Sequence, residues 1–353
     1  MPDYQRVLLI QLRQLGDIIL STPCIREVRR ELPNAHITFL CHRMGKQVLE
    51  GNPYLDELIC YHEKDSYRQF LQKFLQIRSH SFDIVIDFMN DPRSALFTLM
   101  CKAKLKVSTD SSRRWVYRQT FPRANDEETY IVDEKFNLLR NCGFAPKSRQ
   151  LDFPWFQKHL GPVQNLFSQA DYHAGDVGQI RVVLSPTHRR PIRKWALEKY
   201  CEIARRLVTN WGAKVTWVWG PGEEIEIDDA ISHCKVKTYK APATSFKELA
   251  ALIAKHHLFV GNSNGPSHLA VANNICSLQL HGHTKASSWC PLNTKHQAIQ
   301  SEEYGKKRSP TLDMISIEDV WEALISLKPE VEKEKSKQLN SPKKSWDCNF
   351  SSK

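Results

Sequence analysis

The first thirty residues of the chain predict a buried strand, a tight turn and an amphipathic helix. The apolar run at 7–10 favours a strand that is covered on both faces. Residues 11–16 favour a turn, and apolar side chains then recur at helical spacing from 18 to 32. Asp17 stands directly after Gly16, where the turn gives way to the helix. Because open α/β sheets bind ligands where strands end and helices begin, Asp17 is either a helix cap or the base of an enzyme.

The same alternation of strands and helices runs through both halves of the chain. The first half predicts strands at 6–11, 36–41, 57–61 and 83–88 and helices at 20–31, 43–51, 66–80, 93–102 and near 131–142. The second half predicts strands at 181–185, 213–219, 258–260 and 276–281 and helices at 196–210, 223–232, 245–254, 266–273 and 317–326. The fold class is therefore α/β, with two similar nucleotide-fold domains built on parallel sheets.

A stretch rich in proline and glycine separates the two halves. It runs over 145–180 and lacks a clear hydrophobic period. We therefore expect one domain over 1–165 and a second over 166–328. The last residues, 329–353, are rich in lysine and serine, and this composition predicts a disordered tail.

Composition excludes several classes of protein. The chain has 353 residues, of which 41% are hydrophobic, so it can build two cores. No apolar run reaches the roughly 18 residues that span a bilayer, and the early first strand argues against a signal peptide. Ten cysteines are scattered without any CxxC pair, which disfavours a zinc site or a disulfide framework. We expect reduced thiols in a cytoplasmic protein.

One short segment carries over half of the net charge. Between 101 and 123 there are seven basic residues and one acid, so its balance is 7 − 1 = +6 of a total of +11. Such a segment attracts a phosphorylated substrate, a nucleic acid or an acidic membrane surface, unless it is only a solvated basic face. We expect 104–130 to form an irregular surface loop with a short helix, in which Trp115 and Tyr117 either stack on sugar, enter lipid headgroups or have a structural role. No nucleic-acid-binding module surrounds the segment, so a nucleic acid partner is not expected.

Four strand ends in the second half carry polar or glycine-rich motifs. They are Ser185–Trp195, Gly220–Glu224, Gly261–His268 and Leu280–Thr284. The first offers hydroxyls and cations to a phosphate, and the second offers a carboxylate to ribose hydroxyls. The third leaves backbone N–H groups free for an anion at the start of an apolar helix. Each motif alone also fits a basic loop, a helix cap or a structural histidine, and no GxGxxG or Walker motif is present.

Seven pieces stand in an order and spacing that resemble a known family. They are LLIQLRQLGDIILSTPCIREVRRELPNAHITFLC, NPYLDELICY, FDIVIDF, SPTHRRPIRKW, WGPGEE, GNSNGPSHLAVA and LHGHT. From about Arg6 to Leu327 the chain is similar to the ADP-heptose:lipopolysaccharide heptosyltransferases of glycosyltransferase family 9.

The resemblance implies a GT-B fold, in which two Rossmann-like domains face a central cleft. The N-terminal domain would take the acceptor, the lipopolysaccharide core, and the C-terminal domain would take the donor, ADP-heptose. It implies an inverting transfer without metal or cofactor, in which cations and N–H groups stabilise the leaving ADP. The basic segment at 101–123 also suggests peripheral contact with the anionic cytoplasmic face of the inner membrane.

Roles for particular residues follow from the same resemblance. Asp17 matches the general base, and Lys194 matches the lysine that contacts the donor phosphates. The full set of implied donor-binding residues is Thr187, Lys194, Glu223, Glu224, Ser263, Asn264, Gly265, Pro266 and His268. Within that set, Glu223 or Glu224 matches the acid near the nucleoside. The basic segment suggests Arg113, Arg114 and Arg118 as acceptor-binding residues.

Two departures from the family pattern fall in the donor half. Ser263-Asn264-Gly265 stands where the family often has Asp-Ser-Gly or Asp-Thr-Gly. Gly282-His283-Thr284 stands where Gly-Pro-Thr is common. Two alternatives therefore stay open: a related glycosyltransferase that uses another nucleotide-sugar, and a non-catalytic protein that binds glycan or nucleotide on the same scaffold.

Overall fold

The chain divides into two compact units, residues 1–154 and 155–353. In this computed structural model the described residues are 3–123, 129–161, 163–164, 166 and 178–340. The division lies 165 − 154 = 11 residues before the expected boundary. Trp155 explains the shift, because its side chain is buried and its Nε1 donates to Asn273 Oδ1 at 3.0 Å, within the second unit.

The first unit is a parallel six-stranded sheet in the order β3-β2-β1-β4-β5-β6. Its strands are β1 Arg6–Ile10, β2 His36–His42, β3 Glu57–Tyr61, β4 Ser81–Asp87, β5 Lys102–Thr109 and β6 Gln119–Phe121. Its helices are α1 Leu15–Ile19, α2 Thr22–Glu31, α3 Lys46–Leu49, α4 Tyr67–Ser79, α5 Pro92–Met100 and α6 Ile131–Asn141. This is the Rossmann strand order, in which β2 and β3 are added on one side of β1 and β4 to β6 on the other, so that the strand order reverses between β1 and β4.

Two stretches of the basic segment form strands of the sheet, so the expectation of a surface loop over 104–130 is wrong at 104–109 and 119–121; a short helix lies between them at Arg114–Val116. Lysines at 102, 104 and 106 alternate with Ala103, Leu105 and Val107 along β5. That period of two marks a strand at the edge region of a sheet. Lys104 pairs with Asp83 of β4 at 2.7 Å, so part of the charge is neutralised within the fold. Residues 124–128 lie outside the described residues.

The second unit repeats the same architecture, with the strand order β12-β11-β10-β7-β8-β9. Its strands are β7 Arg181–Ser185, β8 Lys214–Trp217, β9 Tyr239–Lys240, β10 Leu258–Asn262, β11 Cys276–His281 and β12 His296–Gln300. Its described helices are α7 Leu197–Trp211, α8 Glu224–His233, α9 Phe246–Ala254, α10 Gly265–Ala272, α11 Ala286–Trp289 and α12 Ile317–Asn340. Counted from β7, this is again the Rossmann order, with its reversal between β7 and β10.

The last described helix, α12, corrects the prediction that the tail begins at 329. It continues to Asn340 because its second half packs on the second unit. Val331 is fully buried, Glu334 pairs with Lys295 at 2.8 Å, and Gln338 Nε2 donates to the carbonyl of His256 at 2.9 Å. Residues 341–353 lie outside the described residues. No helix within 3–340 that the structure describes is both long and apolar enough to cross a membrane.

We expect Val331→Ala to lower the free energy of unfolding by about 2 kcal/mol, because it deletes two buried methyl groups and leaves a cavity. The matched control is Leu339→Ala on the same helix, whose side chain is 42% exposed and should change stability by less than about 0.5 kcal/mol. Urea denaturation measures both. Equal, negligible effects would mean that this end of α12 does not pack as described.

Candidate active site

Asp17 lies in the first turn of α1, which follows β1, where the strand order of the first sheet reverses. Its carboxylate Oδ2 accepts a hydrogen bond from the backbone N–H of Gln14 at 2.8 Å. It thereby satisfies one of the donors that the helix start leaves open, so the capping interpretation of Asp17 is confirmed.

The same carboxylate also lines a cavity, so capping does not exhaust its role. The cavity has a volume of about 240 Å³, and its polar walls include Gln11, Arg13 and Lys135. Burial raises the pKa of Asp17, while the N–H of Gln14 and the positive charge of Lys135 oppose that shift. A half-buried carboxyl at a strand end, beside a cation, has the surroundings of an acid–base group.

Lys135 is the residue of this cavity that the sequence analysis missed. Its side chain is buried, its Nζ donates to Gln11 Oε1 at 2.7 Å, and the ammonium lies 4.9 Å from the centre of the Phe88 ring. Burial lowers its pKa, and the charge of Asp17 is the largest effect opposing that shift. The signal was available, because Lys135 falls among the apolar positions of α6, where Val132 and Phe136 point inward.

The basic segment contributes to this cavity through a residue that was not predicted. Arg123 lines it, whereas Arg113, Arg114 and Arg118 are not among its described walls. Arg114 and Arg118 are exposed. Tyr117 has a structural role, since it is buried and its hydroxyl donates to Asp87 Oδ2 at 2.7 Å.

In the second unit, Asn264 connects the loop after β7 with the loop after β10, at the point where the strand order reverses. It caps α10 by accepting from the N–H of Ser267 at 3.3 Å, and its Nδ2 donates to the carbonyl of Thr187 at 3.3 Å. Ser263 Oγ accepts from Thr284 Oγ1 at 3.4 Å. The structure therefore brings three of the four predicted strand-end motifs together around the start of α10.

Asn262 stabilises this arrangement through buried hydrogen bonds. The sequence analysis listed it within the Gly261–His268 motif but gave it no role of its own. It is fully buried at the end of β10, its Oδ1 accepts from the Tyr200 hydroxyl at 2.9 Å, and its Nδ2 donates to the carbonyl of Pro186 at 2.6 Å. A polar residue that ends a buried strand was the available signal.

Lys194 forms an ion pair with an acid that the sequence analysis did not select. Its Nζ lies 2.5 Å from Glu226 Oε2 in the first turn of α8. Glu223 instead folds onto its own turn and accepts from the N–H of Gly220 at 2.8 Å. Glu224 pairs with Lys240 at 3.0 Å on the surface. One carboxylate thus holds Lys194 in the loop between β7 and α7, and the lysine side chain remains 25% exposed.

The two histidines near the start of α10 are neutral at pH 7. Burial lowers the pKa of His268 to about 4 and that of His281 to about 3. His281 Nδ1 shares a hydrogen bond with Thr284 Oγ1 at 3.2 Å. Both side chains are buried and add no positive charge to this region. Lys194 and the arginines of the Ser185–Trp195 motif are the cations of that motif.

Neither a disulfide nor a metal cluster lies in the described part of the chain. Nine cysteines are described, and all are free thiols. Within the described ranges, no three His, Cys, Asp or Glu side chains converge as a metal site would require.

Two Rossmann-ordered units in series, each with polar groups at its strand reversal, define the GT-B class of glycosyltransferase folds. A glycosyl transferase family 9 structure from Veillonella parvula matches with a TM-score of 0.78 at 21% identity, covering 94% of this chain and 98% of that one. E. coli ADP-heptose lps heptosyltransferase II matches with a TM-score of 0.70 at 19% identity, covering 93% and 99%.

The sequence itself gives the family. The chain belongs to glycosyltransferase family 9 (heptosyltransferase), whose model matches residues 71–319. Lipopolysaccharide heptosyltransferase 3 of E. coli K12 is 25% identical over 346 residues, which cover 90% of this chain and 97% of that protein. The lipopolysaccharide core heptosyltransferase OpsX of Haemophilus influenzae is 22% identical, covering 85% and 87%. The family and fold predicted from the motifs are confirmed.

Proposed function

We propose that this protein transfers heptose from ADP-heptose to the lipopolysaccharide core. Membership of family 9 and the similarity to lipopolysaccharide heptosyltransferases over nearly the whole chain support this reaction. The observation that carries the proposal is Asp17, a carboxylate that lines a cavity beside a buried lysine at the strand reversal of the first unit.

We assign the acceptor to the first unit and the donor to the second. The cavity of Asp17 offers cations to an acidic core through Arg13, Arg123 and Lys135. The exposed guanidiniums of Arg114 and Arg118 extend this charge along the basic segment, and Arg113 stays a candidate with them. In the second unit, the capped start of α10, Thr187 and Lys194 suit the diphosphate of a nucleotide-sugar.

The proposed reaction is a single inverting displacement. Asp17 accepts the proton of the acceptor hydroxyl while that oxygen forms its bond to the anomeric carbon. The bond from that carbon to the β-phosphate oxygen breaks through an oxocarbenium-like transition state, and ADP leaves with the electron pair. Lys194 and the backbone N–H groups of Gly265 and His268 at the start of α10 stabilise the negative charge that develops on ADP, so no metal enters the proposed mechanism.

Lys135 has a positioning role in this mechanism. A base must be ionised, and burial of Asp17 raises its pKa and so opposes ionisation. The positive charge of Lys135 favours the carboxylate, and Gln11 fixes the ammonium in place through its 2.7 Å hydrogen bond. We therefore expect Lys135 to set the pH range in which Asp17 works.

Lys135→Met should move the acidic limb of the kcat/KM profile to higher pH by roughly one unit or more. The sign follows from the charges, because removal of the cation raises the pKa of Asp17 further and a higher pH is then needed to ionise it. The pH–rate profile measures this shift, and Lys135→Arg, which keeps the charge, should restore the limb. A loss of activity at all pH values without a displaced limb would contradict the positioning role.

Two other functions follow from the departures in the donor half. Ser263 and His283 favour a related transferase that uses another nucleotide-sugar, and a non-catalytic glycan- or nucleotide-binding protein is the second alternative. The change in thermal stability with ADP and with UDP tests the nucleotide, and hydrolysis or transfer from a panel of nucleotide-sugars tests the reaction. Stabilisation by ADP with turnover of ADP-heptose supports the proposal, whereas stabilisation by UDP supports the first alternative. ADP binding without turnover of any donor supports the second.

We also propose peripheral contact with an anionic membrane surface. The support is the net positive charge of the first unit's basic segment, of which Arg114 and Arg118 are exposed.

A further inference from the structure

Two thiols of the first sheet lie in contact with each other. Cys41 on β2 and Cys60 on β3 are paired in the parallel register of these strands, and their Sγ atoms are 3.9 Å apart. Side chains at paired positions of neighbouring strands project from the same face of a sheet. Neither thiol takes part in the proposed transfer reaction.

The two strands are spaced so that a disulfide bond can join these thiols. Neighbouring strands lie about 4.8 Å apart, and the Cα atoms of disulfide-bonded cysteines are usually about 4.4–6.8 Å apart. Rotation about the Cα–Cβ bonds can therefore bring the Sγ atoms from 3.9 Å to the bonding distance of about 2.05 Å while β2 and β3 stay paired. Both cysteines are free thiols in the structure, which is thus the reduced form of the pair.

The two thiols differ in exposure and in ionisation. Cys60 lies on the edge strand of the sheet and is half-buried, whereas Cys41 is fully buried. The hydrogen bond with Cys41 lowers the pKa of the Cys60 thiol, with smaller contributions from Lys46 and Lys73, while burial and the charge of Glu50 oppose this shift. The same hydrogen bond, together with burial, raises the pKa of Cys41. The more accessible thiol is thus the one that ionises more readily, and the thiolate is the reactive form of cysteine.

Acidic side chains moderate the positive charge around Cys60. Lys46 Nζ lies 3.5 Å from Glu50 Oε1, and Lys73 forms an ion pair with Asp65. The two lysines therefore favour the Cys60 thiolate only in part, and the contact with Cys41 is the larger effect.

The Cys41 side chain packs near the helix that carries Asp17. Gly45, in the turn between β2 and α3, is packed so closely that a methyl group on its Cα would lie 2.8 Å from Cys41 Sγ and 2.6 Å from Ile18 Cδ1. Ile18 is a buried residue of α1 and follows Asp17 directly. Because protein interiors leave little free space, a rotation of the Cys41 side chain changes the packing against α1.

We propose that Cys41 and Cys60 are a reversible modification site, at which a peroxide forms a disulfide bond that slows the reaction at Asp17. The Cys60 thiolate attacks one peroxide oxygen, and the O–O bond breaks to leave a sulfenic acid and hydroxide, which takes up the proton that Cys60 released. Cys41 Sγ then bonds to Cys60 Sγ, and its proton leaves with the sulfenic oxygen as water. In total, two thiols and one hydrogen peroxide give one disulfide and two molecules of water. A thiol reductant reverses the oxidation by exchange.

Peptide mapping by mass spectrometry tests the modification itself, which does not depend on the proposed function. The full chain is treated with hydrogen peroxide, the remaining free thiols are alkylated, and the digest is analysed without reduction. We expect two peptides linked through Cys41 and Cys60, lighter by two hydrogen atoms than the reduced pair and separated again by dithiothreitol. Absence of this link after peroxide treatment would overturn the proposal.

Cys201→Ser is the matched control, because Cys201 also shares a hydrogen bond between thiols, with Cys234 in the second unit. This variant should form the link between Cys41 and Cys60 as fully as the unsubstituted chain, whereas Cys60→Ser should form none. Circular dichroism and thermal unfolding confirm that both variants fold. Loss of the link in Cys201→Ser would contradict a direct reaction between Cys41 and Cys60.

The effect on Asp17 rests on the proposed function and is measured separately, as the rate of ADP release from ADP-heptose with acceptor. We expect the oxidised chain to react roughly tenfold more slowly and to recover with dithiothreitol, since small displacements of a catalytic group are costly. Cys60→Ser should keep its rate before and after peroxide. Hydrogen exchange of the α1 amides should also change on oxidation, and this readout needs no turnover. A linked chain with unchanged exchange and an unchanged rate would overturn the coupling to α1.

Discussion

Asp17→Asn should lower kcat by about 10²–10⁴-fold, because the amide cannot accept the proton of the acceptor hydroxyl. The side-chain oxygen of asparagine still accepts the hydrogen bond from Gln14, so the start of α1 should stay intact. Binding of ADP, assigned to the second unit, should be unchanged. Initial rates of ADP release in the presence of acceptor, together with calorimetry of ADP binding, measure the two effects.

Gln14→Ala is the matched control, because it removes the side-chain half of the capping box while the backbone N–H at position 14 still donates to the Asp17 carboxylate. We expect it to cost roughly 1 kcal/mol of stability at most and to change kcat by far less than Asp17→Asn. If both variants lost activity equally, a disturbed start of α1, and not the loss of the Asp17 carboxylate, would explain the effect of Asp17→Asn. Unchanged turnover in Asp17→Asn would remove the base assignment.

Lys194→Met should lower kcat with ADP-heptose by about 10²–10³-fold, since the charge that develops on ADP would lose its fixed counter-ion. The loss should exceed the change in ADP affinity, because a stabilised leaving group lowers the barrier and not only the energy of the bound state. Steady-state kinetics with varied donor concentration separate kcat from KM and check this expectation.

Glu226→Gln distinguishes this role from a purely structural ion pair. It breaks the 2.5 Å pair and leaves Lys194 in place. If Lys194 serves the diphosphate, Glu226→Gln should change kcat by less than about tenfold, since the freed ammonium still reaches the donor. If the ion pair itself is what matters, both variants should lose stability and activity to the same extent.

The strands buried on both faces could be predicted from the sequence because their signal is local. Each of β1, β4, β7 and β10 contains a run of three or four buried apolar residues, and a parallel sheet covered by helices needs such runs. β5 was not predicted, because its three lysines made the segment look like a solvent-exposed loop, although they alternate with apolar residues as in a strand. The end of α12 was missed because its charged composition suggests solvent, while Glu334 finds its partner, Lys295, through the tertiary fold.

The candidate site shows the same division between local and tertiary information. Asp17 and Lys194 stand at strand ends in distinctive motifs, so the sequence could select them. Lys135 and Glu226 lie on helices without a motif, and each is defined by a partner distant in sequence. Arg123 lines the cavity, because the path of β5 and β6 decides which basic side chains of the segment reach it.

The transfer reaction itself is the most direct test of the proposed function. The full chain is incubated with ADP-heptose and a core that lacks its outer sugars, and the product is analysed by mass spectrometry and by the anomeric coupling in its NMR spectrum. We predict one added heptose, inverted relative to the donor, with release of ADP and no requirement for added metal. No transfer from ADP-heptose, or transfer from a uridine nucleotide-sugar in its place, would contradict the account.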